Sequence, residues 1–314
     1  MIKITQPTTF AEGFAEFLEA KRLEGCRDIT LKHYQNDIHV FLLYFDENML
    51  MADIENNTVH IFFSHLKNRG LSERTVHTYI RGLRTVLYFF MDNGWSPEFR
   101  IKLPKVTKTL KSIYTDEELK LLLRKPNLRK CTFVEYRDWA VINYIMGTGQ
   151  RLSTILNVQN GDIDLDNGMV YLRHLKNRSQ VVLPLTESLV AILREYSKIR
   201  GGGTNDYLFC SAFGKKLTSS ALISSIRRYN QNRGVEKTSI HLFRHTFAVK
   251  WVRTSGDIAK LQRMLTHADL TTTQLYLDLV YDDLKEDLAQ NNPLENLKRD
   301  SKISMQKFPG EDFS

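Results

Sequence analysis

Two stretches of the chain repeat one alternation of apolar and polar residues at an offset of 45 positions. "ITLKHYQNDIHVFLLYF" (Ile29 to Phe45) aligns with "RTVHTYIRGLRTVLYFF" (Arg74 to Phe90), pairing Thr30 with Thr75, Tyr34 with Tyr79, Ile38 with Leu83 and Phe45 with Phe90. Together with Leu31/Val76 and Phe41/Val86 these positions recur at helical spacing, so each copy predicts a helix that buries one stripe. Lys32, His33, His77, Arg81 and Arg84 fall on the polar side. The plainer and favoured reading of that side is a solvated surface; the sharper one is a face offered to a phosphate backbone.

The helical pattern stops at "RIKLPKVTKTLKS", residues 100–112, which holds five basic residues, a proline and no acid. Lys102, Lys105, Lys108 and Lys111 stand at every third position, a spacing suited to an extended linker crossing a polyanion. A second unit opens at "YTDEELKLLL", where Thr115 and Glu118 have the spacing of a capping box ahead of an apolar helix. It reads as mainly helical with one β interruption. "GMVYLRHLKNRSQVVLPL" (Gly168 to Leu185) sets two β-rich runs around a polar turn, which predicts an antiparallel hairpin with Lys176 near its tip. Helices are expected at 186–200, 218–232, 240–254, 257–266 and 272–279, with "GGGTND" as a flexible break and a polar tail beyond Asn292. The expected organisation is 1–99, a linker at 100–112, a second domain at 113–292 and a tail at 293–314.

Composition narrows the class. A chain of 314 residues that is 42% hydrophobic can bury two cores, and a net charge of +8 with a pI near 9.2 favours an anionic partner. Cys26, Cys131 and Cys210 are scattered, with no spacing for a disulfide framework or a zinc site. The N-terminus lacks a signal-peptide pattern and no run of about 18 apolar residues occurs, so a soluble, cytoplasmic protein without a membrane partner is expected.

Four patches of the second unit are chemically unusual for a helical core: "GTGQRLS" with Arg151, the hairpin with Lys176, "HLFRHTF" with His241, Arg244 and His245, and "LTHADLTTTQLYL" with His267 and Tyr276 nine positions on. Each alone has a structural explanation, such as a surface arginine, a loop-tip lysine or a shared helix face. In this order they resemble the tyrosine recombinase and phage integrase family, in particular its Xer-like members, and the resemblance spans nearly the whole chain.

That resemblance implies a mainly α fold: an N-terminal SAM-like helical core-binding domain, then an α+β catalytic domain of helices with a small antiparallel sheet. It implies a catalytic set of Arg151, Lys176, His241, Arg244, His267 and Tyr276, the last as nucleophile. The arginines would meet the charged non-bridging oxygens of the transition state. His241 would take the tyrosine proton, Lys176 would protonate the leaving 5′ oxygen, and His267 would donate to a phosphate oxygen. Neither metal nor ATP is implied, and neither a P-loop nor a convincing two-metal carboxylate cluster is present.

The implied partners are double-stranded DNA carrying specific recombination sites, further copies of the chain in a tetramer that exchanges strands through a Holliday junction, and accessory proteins. The C-terminal helix around Tyr281 would dock either on a neighbouring subunit or on its own domain. Lys32, His77, Arg81, Arg84, Lys102, Lys105, Lys108 and Lys111 are the candidate DNA contacts. Thr154 stands where the family often has an acid that buttresses the first arginine; Gln150, Thr266 and Asp278 also depart from the pattern, pointing to a divergent, mobile-element branch. A type IB topoisomerase and a non-catalytic DNA-binding protein are the alternative readings.

Overall fold

The computed structural model describes residues 6–106, 113–173, 180–255 and 257–265. The chain divides into two compact units, residues 1–109 and 110–314.

The first unit contains α1 (Phe10–Leu23), α2 (Asp28–Leu42), a 3-10 turn (Met51–Asp53), α3 (Asn56–Asn68) and α4 (Glu73–Asp92). Thr9 and Glu12 close a capping box on α1, and the Ser72 hydroxyl accepts from the Thr75 N–H at the start of α4. Each cap satisfies a backbone donor that the first helical turn leaves without a partner. The repeated stripe is the buried one: Leu31, Ile38 and Phe41 on α2, and Val76, Leu83, Val86 and Phe90 on α4, face the core. Phe10, Phe17, Phe41, Phe62 and Phe90 are fully enclosed there, with Phe41 edge-on to Phe62 at 5.2 Å. Each such side chain contributes about 1.5–3 kcal/mol on burial. The repeat is imperfect at its end, since Phe90 is buried whereas Phe45 is half-exposed. Helices α2 and α4 approach closely at Gly82, where a Cβ would lie 2.8 Å from the Asp37 Cβ.

The second unit is arranged around α6 (Phe133–Thr148), with α5 (Asp116–Leu123) before it and α7 (Leu152–Ile155) after it. Apolar residues occur on every side of α6, and the helix is correspondingly enclosed, packing against α5, α8 (Glu187–Arg200), α9 (Ser219–Asn232) and α10 (Ile240–Ser255). The expected hairpin is present as β2 (Met169–Leu172) and β3 (Val181–Pro184), antiparallel with Val170 opposite Leu183. A third strand, β1 (Ile163–Asp164), pairs with β2. Two residues are too few for a period to register in the sequence. Pro184 ends an edge strand, where its missing N–H leaves no ladder bond broken.

The capping box at Thr115 and Glu118 forms as expected. "GGGTND" does not behave as a flexible break. Asn160 Nδ2 donates to the Gly201 and Gly203 carbonyls at 3.2 and 2.9 Å, and the Gly161 N–H donates to Thr204 O at 2.8 Å, so the segment is clasped to the turn before β1. The last described helix is α11 (Ile258–Leu265), which packs on α10 through Leu261 and Leu265. The expected helix at 272–279 and the tail lie outside the described residues.

Candidate active site

The site is assembled from three helix ends. Helix α6 stops at Gly149, whose φ of 64° places it in the left-handed region and whose N–H donates to Ile145 O at 2.7 Å. A Cβ at this position would lie 2.5 Å from Phe247 Cδ1, so glycine is required both by conformation and by the close approach of α10. The turn then places Gln150 inward and makes Arg151 the residue preceding α7.

From α10, Arg244 enters the same place. It is 6% exposed, and its Nη1 donates to Gly149 O while its Nη2 donates to Leu265 O at 3.0 Å. Arg151 Nη1 reaches the same Leu265 oxygen at 3.5 Å. Gln150 Nε2 donates to Met264 O at 2.8 Å. The last carbonyls of α11, which no intrahelical N–H can satisfy, therefore accept from Gln150, Arg151 and Arg244. Cations at a helix C-terminus also complement its dipole.

His241 lies on the first turn of α10 and is exposed, whereas His245, one turn on, is half-buried. Thr154 is buried within α7, its N–H bonded to Arg151 O at 2.9 Å. Thus "GTGQRLS" and "HLFRHTF" are brought together at the last residue of α11, two positions before His267. Lys176, His267 and Tyr276 lie outside the described residues.

The candidate DNA contacts of the first unit occupy two packed helices. Lys32 is exposed on α2; Arg81 is exposed on α4, His77 is half-buried there, and Arg84 sits 5.8 Å over the Tyr88 ring. Burial holds the Asp37 carboxyl above the ordinary carboxylate range, against the opposing pull of His33 and Arg81. Lys102 and Lys105 are exposed, while Lys108 and Lys111 lie outside the described residues.

Two features were not anticipated. Gln150 stood out in the sequence only as an odd residue, and its tethering role depends on a carbonyl 114 positions away. Inside α6, Arg137 and Asp138 form a buried ion pair at 2.6 Å that also engages Ser225 of α9. The signal was two adjacent opposite charges within an otherwise apolar run. A cavity of about 850 Å³ beside this pair, lined by Arg124, Asp138, Ser225 and Arg228 among others, shares no lining residue with the arginine cluster. Among the described residues, no group of three or more His, Cys, Asp or Glu side chains is placed to hold a metal, and no helix is long and apolar enough to cross a membrane.

The phage integrase family model matches residues 113–282, and the phage integrase SAM-like domain model matches residues 9–102. Tyrosine recombinase XerA of Thermococcus kodakarensis is 28% identical over 298 residues, covering 94% of this chain and 99% of the relative. Tyrosine recombinase XerD of Listeria innocua is 26% identical over 295 residues, covering 90% and 98%. Among solved structures, the Tn1549 transposon integrase in complex with a circular intermediate DNA superimposes with a TM-score of 0.73 at 16% identity, covering 89% of this chain and all of that one. A lambda integrase tetramer bound to a Holliday junction gives 0.69, also at 16% identity, covering 85% of this chain and 77% of that one. The mainly helical architecture with its small sheet is shared with these integrases. Since the catalytic family model covers more than half of the chain and the relatives extend along nearly all of it, this chain belongs to the phage integrase family of tyrosine recombinases, enzymes that break and rejoin DNA.

Proposed function

We propose that the protein is a site-specific recombinase in which Tyr276 attacks a DNA phosphodiester, forming a 3′-phosphotyrosyl bond and releasing a 5′ hydroxyl. The observation that carries the reading is the convergence of Arg151 and Arg244 on one oxygen beside the start of the segment that bears His267 and Tyr276. Two guanidinium groups so placed present paired donors to the non-bridging oxygens of one phosphate as charge builds on them. Tyrosine ionises near pH 10 in water, so its proton must leave during attack. His241, exposed at the mouth of α10, is the acceptor in this scheme, Lys176 gives the proton to the departing 5′ oxygen, and His267 donates to the phosphate. Attack by the 5′ hydroxyl of a second strand on the phosphotyrosine reverses these transfers and restores the tyrosine. The phosphotyrosyl bond conserves the energy of the original linkage, so rejoining requires no nucleotide hydrolysis.

In this reading residues 1–99 and 113–292 grip the duplex with the 100–112 linker between them. Four protomers pair two sites, as the lambda integrase tetramer on a Holliday junction illustrates for its own substrate. The deciding experiment incubates the full chain with a library of duplexes nicked near random sites and isolates protein covalently joined to DNA. The wild type is expected to yield an adduct and Tyr276→Phe none. An undiminished adduct in that variant refutes the assignment. Sequencing the trapped DNA identifies the site.

A further inference from the structure

Phe213 is the most exposed large apolar side chain among the described residues, at 88%. It is held there by a structured turn. The Ser211 N–H donates to Lys215 O at 2.8 Å, and the Gly214 N–H donates to Ser211 O at 3.0 Å. The Ser211 hydroxyl accepts from the N–H groups of Phe213 and Lys215 at 3.3 and 3.1 Å, while Gly214 takes a φ of 74°. A bridge between Cys210 and Lys216 closes the base. Four hydrogen bonds and a left-handed glycine fix a backbone whose one large apolar side chain points to water. A lone exposed apolar side chain is common on protein surfaces, so it is the ordered backbone beneath this one and the charge beside it that single it out.

The surroundings specify the chemistry of the contact. Between Asp206 and Glu236 the chain contains no acid, and the cations adjoining Phe213 are Lys215 and Lys216; further along, Arg233 is paired with Glu135. Lys215 is exposed on the same turn as Phe213. Lys216 points back into the domain, donating to Asn157 Oδ1 at 2.6 Å and lying 4.6 Å over the Tyr207 ring. Asn157 in turn donates to Ser153 O of α7 at 2.7 Å, and α7 is the helix that Arg151 precedes. The turn is thus bolted to the element that carries a proposed phosphate-binding arginine.

We propose that the 211–216 turn is a DNA-contacting element, in which Phe213 packs against the sugar edge of a duplex groove and Lys215 meets the neighbouring phosphate. The inference rests on the DNA recombinase reading and adds a positioning contact to it. An aromatic side chain on the sugar wall and a lysine on the phosphate set where the duplex lies relative to Arg151 without reading a base.

The two residues leave different signatures. A phosphate contact releases a counterion, so its loss changes the slope of log affinity against log salt by about one unit. An apolar contact weakens affinity without altering that slope. The test uses the full chain, a labelled random-sequence duplex and a salt titration of binding anisotropy, with thermal unfolding and sedimentation measured alongside. Phe213→Ser is expected to weaken binding by roughly five- to tenfold at unchanged slope. Lys215→Ala is expected to reduce the slope by about one. Phe213→Leu should retain most of the affinity, and the melting temperature of all three should match the wild type. If the wild type binds and neither Phe213→Ser nor Lys215→Ala alters affinity or slope, the turn is not a DNA contact and the recombinase reading stands. A Phe213→Ser variant that lowers self-association while binding DNA normally assigns the turn to a second copy of the chain and overturns the proposal. A wild type that binds no duplex at any salt concentration removes the recombinase reading and this inference with it.

Discussion

Arg151 and Arg244 donate to one and the same oxygen, the carbonyl of Leu265, from 3.5 and 3.0 Å. The two residues are 93 positions apart and come from the turn before α7 and from α10, yet each guanidinium is oriented by the terminus of α11. Arg244 is the more deeply held, because it also donates to Gly149 O. The shared acceptor therefore gives the pair unequal structural weight, and substitutions should separate folding from chemistry.

Arg244→Lys is expected to lower stability by about 2–4 kcal/mol, since an ammonium lacks the planar fork that reaches both carbonyls and one buried oxygen loses its donor. Arg151→Lys, at a half-buried position, should lose less. Urea denaturation of both variants checks the order. In the covalent-adduct assay each alanine variant should slow cleavage by about 10²–10³-fold, the scale of removing one oxyanion donor.

Gly149→Ala strains a backbone at φ 64° and drives a methyl group into Phe247 and Leu265. The loss should be about 2 kcal/mol or more, and the displaced helices should reduce adduct formation in the surviving folded protein. Gly168→Ala shares the positive φ but meets only ordinary contacts, so it isolates the conformational part of the loss. Equal melting temperatures for the two variants would remove close packing from the explanation.

Asp138→Asn leaves the Arg137 guanidinium buried without its carboxylate, and a loss of about 3–5 kcal/mol is expected. The double variant Arg137→Met, Asp138→Leu should recover much of that, because an apolar pair has no charge to desolvate. A double variant less stable than Asp138→Asn would show that the pair contributes net stability.

Glu118 makes part of the acid limb of stability. Burial pushes its carboxyl upward, but the hydrogen bond from Lys237 at 2.9 Å, the Thr115 N–H and the Lys237 charge together outweigh this and leave the group below its ordinary value. A carboxyl depressed in the folded state adds stability above its unfolded value, and that stability is lost as pH falls through the folded one. Urea midpoints measured from about pH 6 down to about pH 3 should decline, and Lys237→Met should flatten the decline.

Much of this architecture was legible because it is periodic. The stripe through Leu31, Ile38 and Phe41 repeats at Val76, Leu83 and Val86, and burial alone fixes which face turns inward. The Thr115 cap and the hairpin around Val170 and Leu183 were legible for the same reason, since each depends on neighbours in the chain. The clasp on residues 201–204 was not, because it is made by Asn160 and Gly161 through backbone carbonyls that carry no residue identity. Gln150 was missed likewise. At the site, the order of the arginines and histidines suggested a family, but only folding reveals that Arg151 and Arg244 share an acceptor.

Leu265 acts as a mooring post. Tyr276 lies only 11 positions further along the chain, and a stretch of that length spans at most about 40 Å even when fully drawn out. If Tyr276 attacks as proposed above, its local concentration is set by this stretch of chain and its anchor, independent of how much protein is in solution. In the proposed mechanism the guanidinium groups that hold Leu265 also fix the anchor of that tether, so loosening the anchor is expected to lower the effective concentration of Tyr276 even where phosphate binding persists.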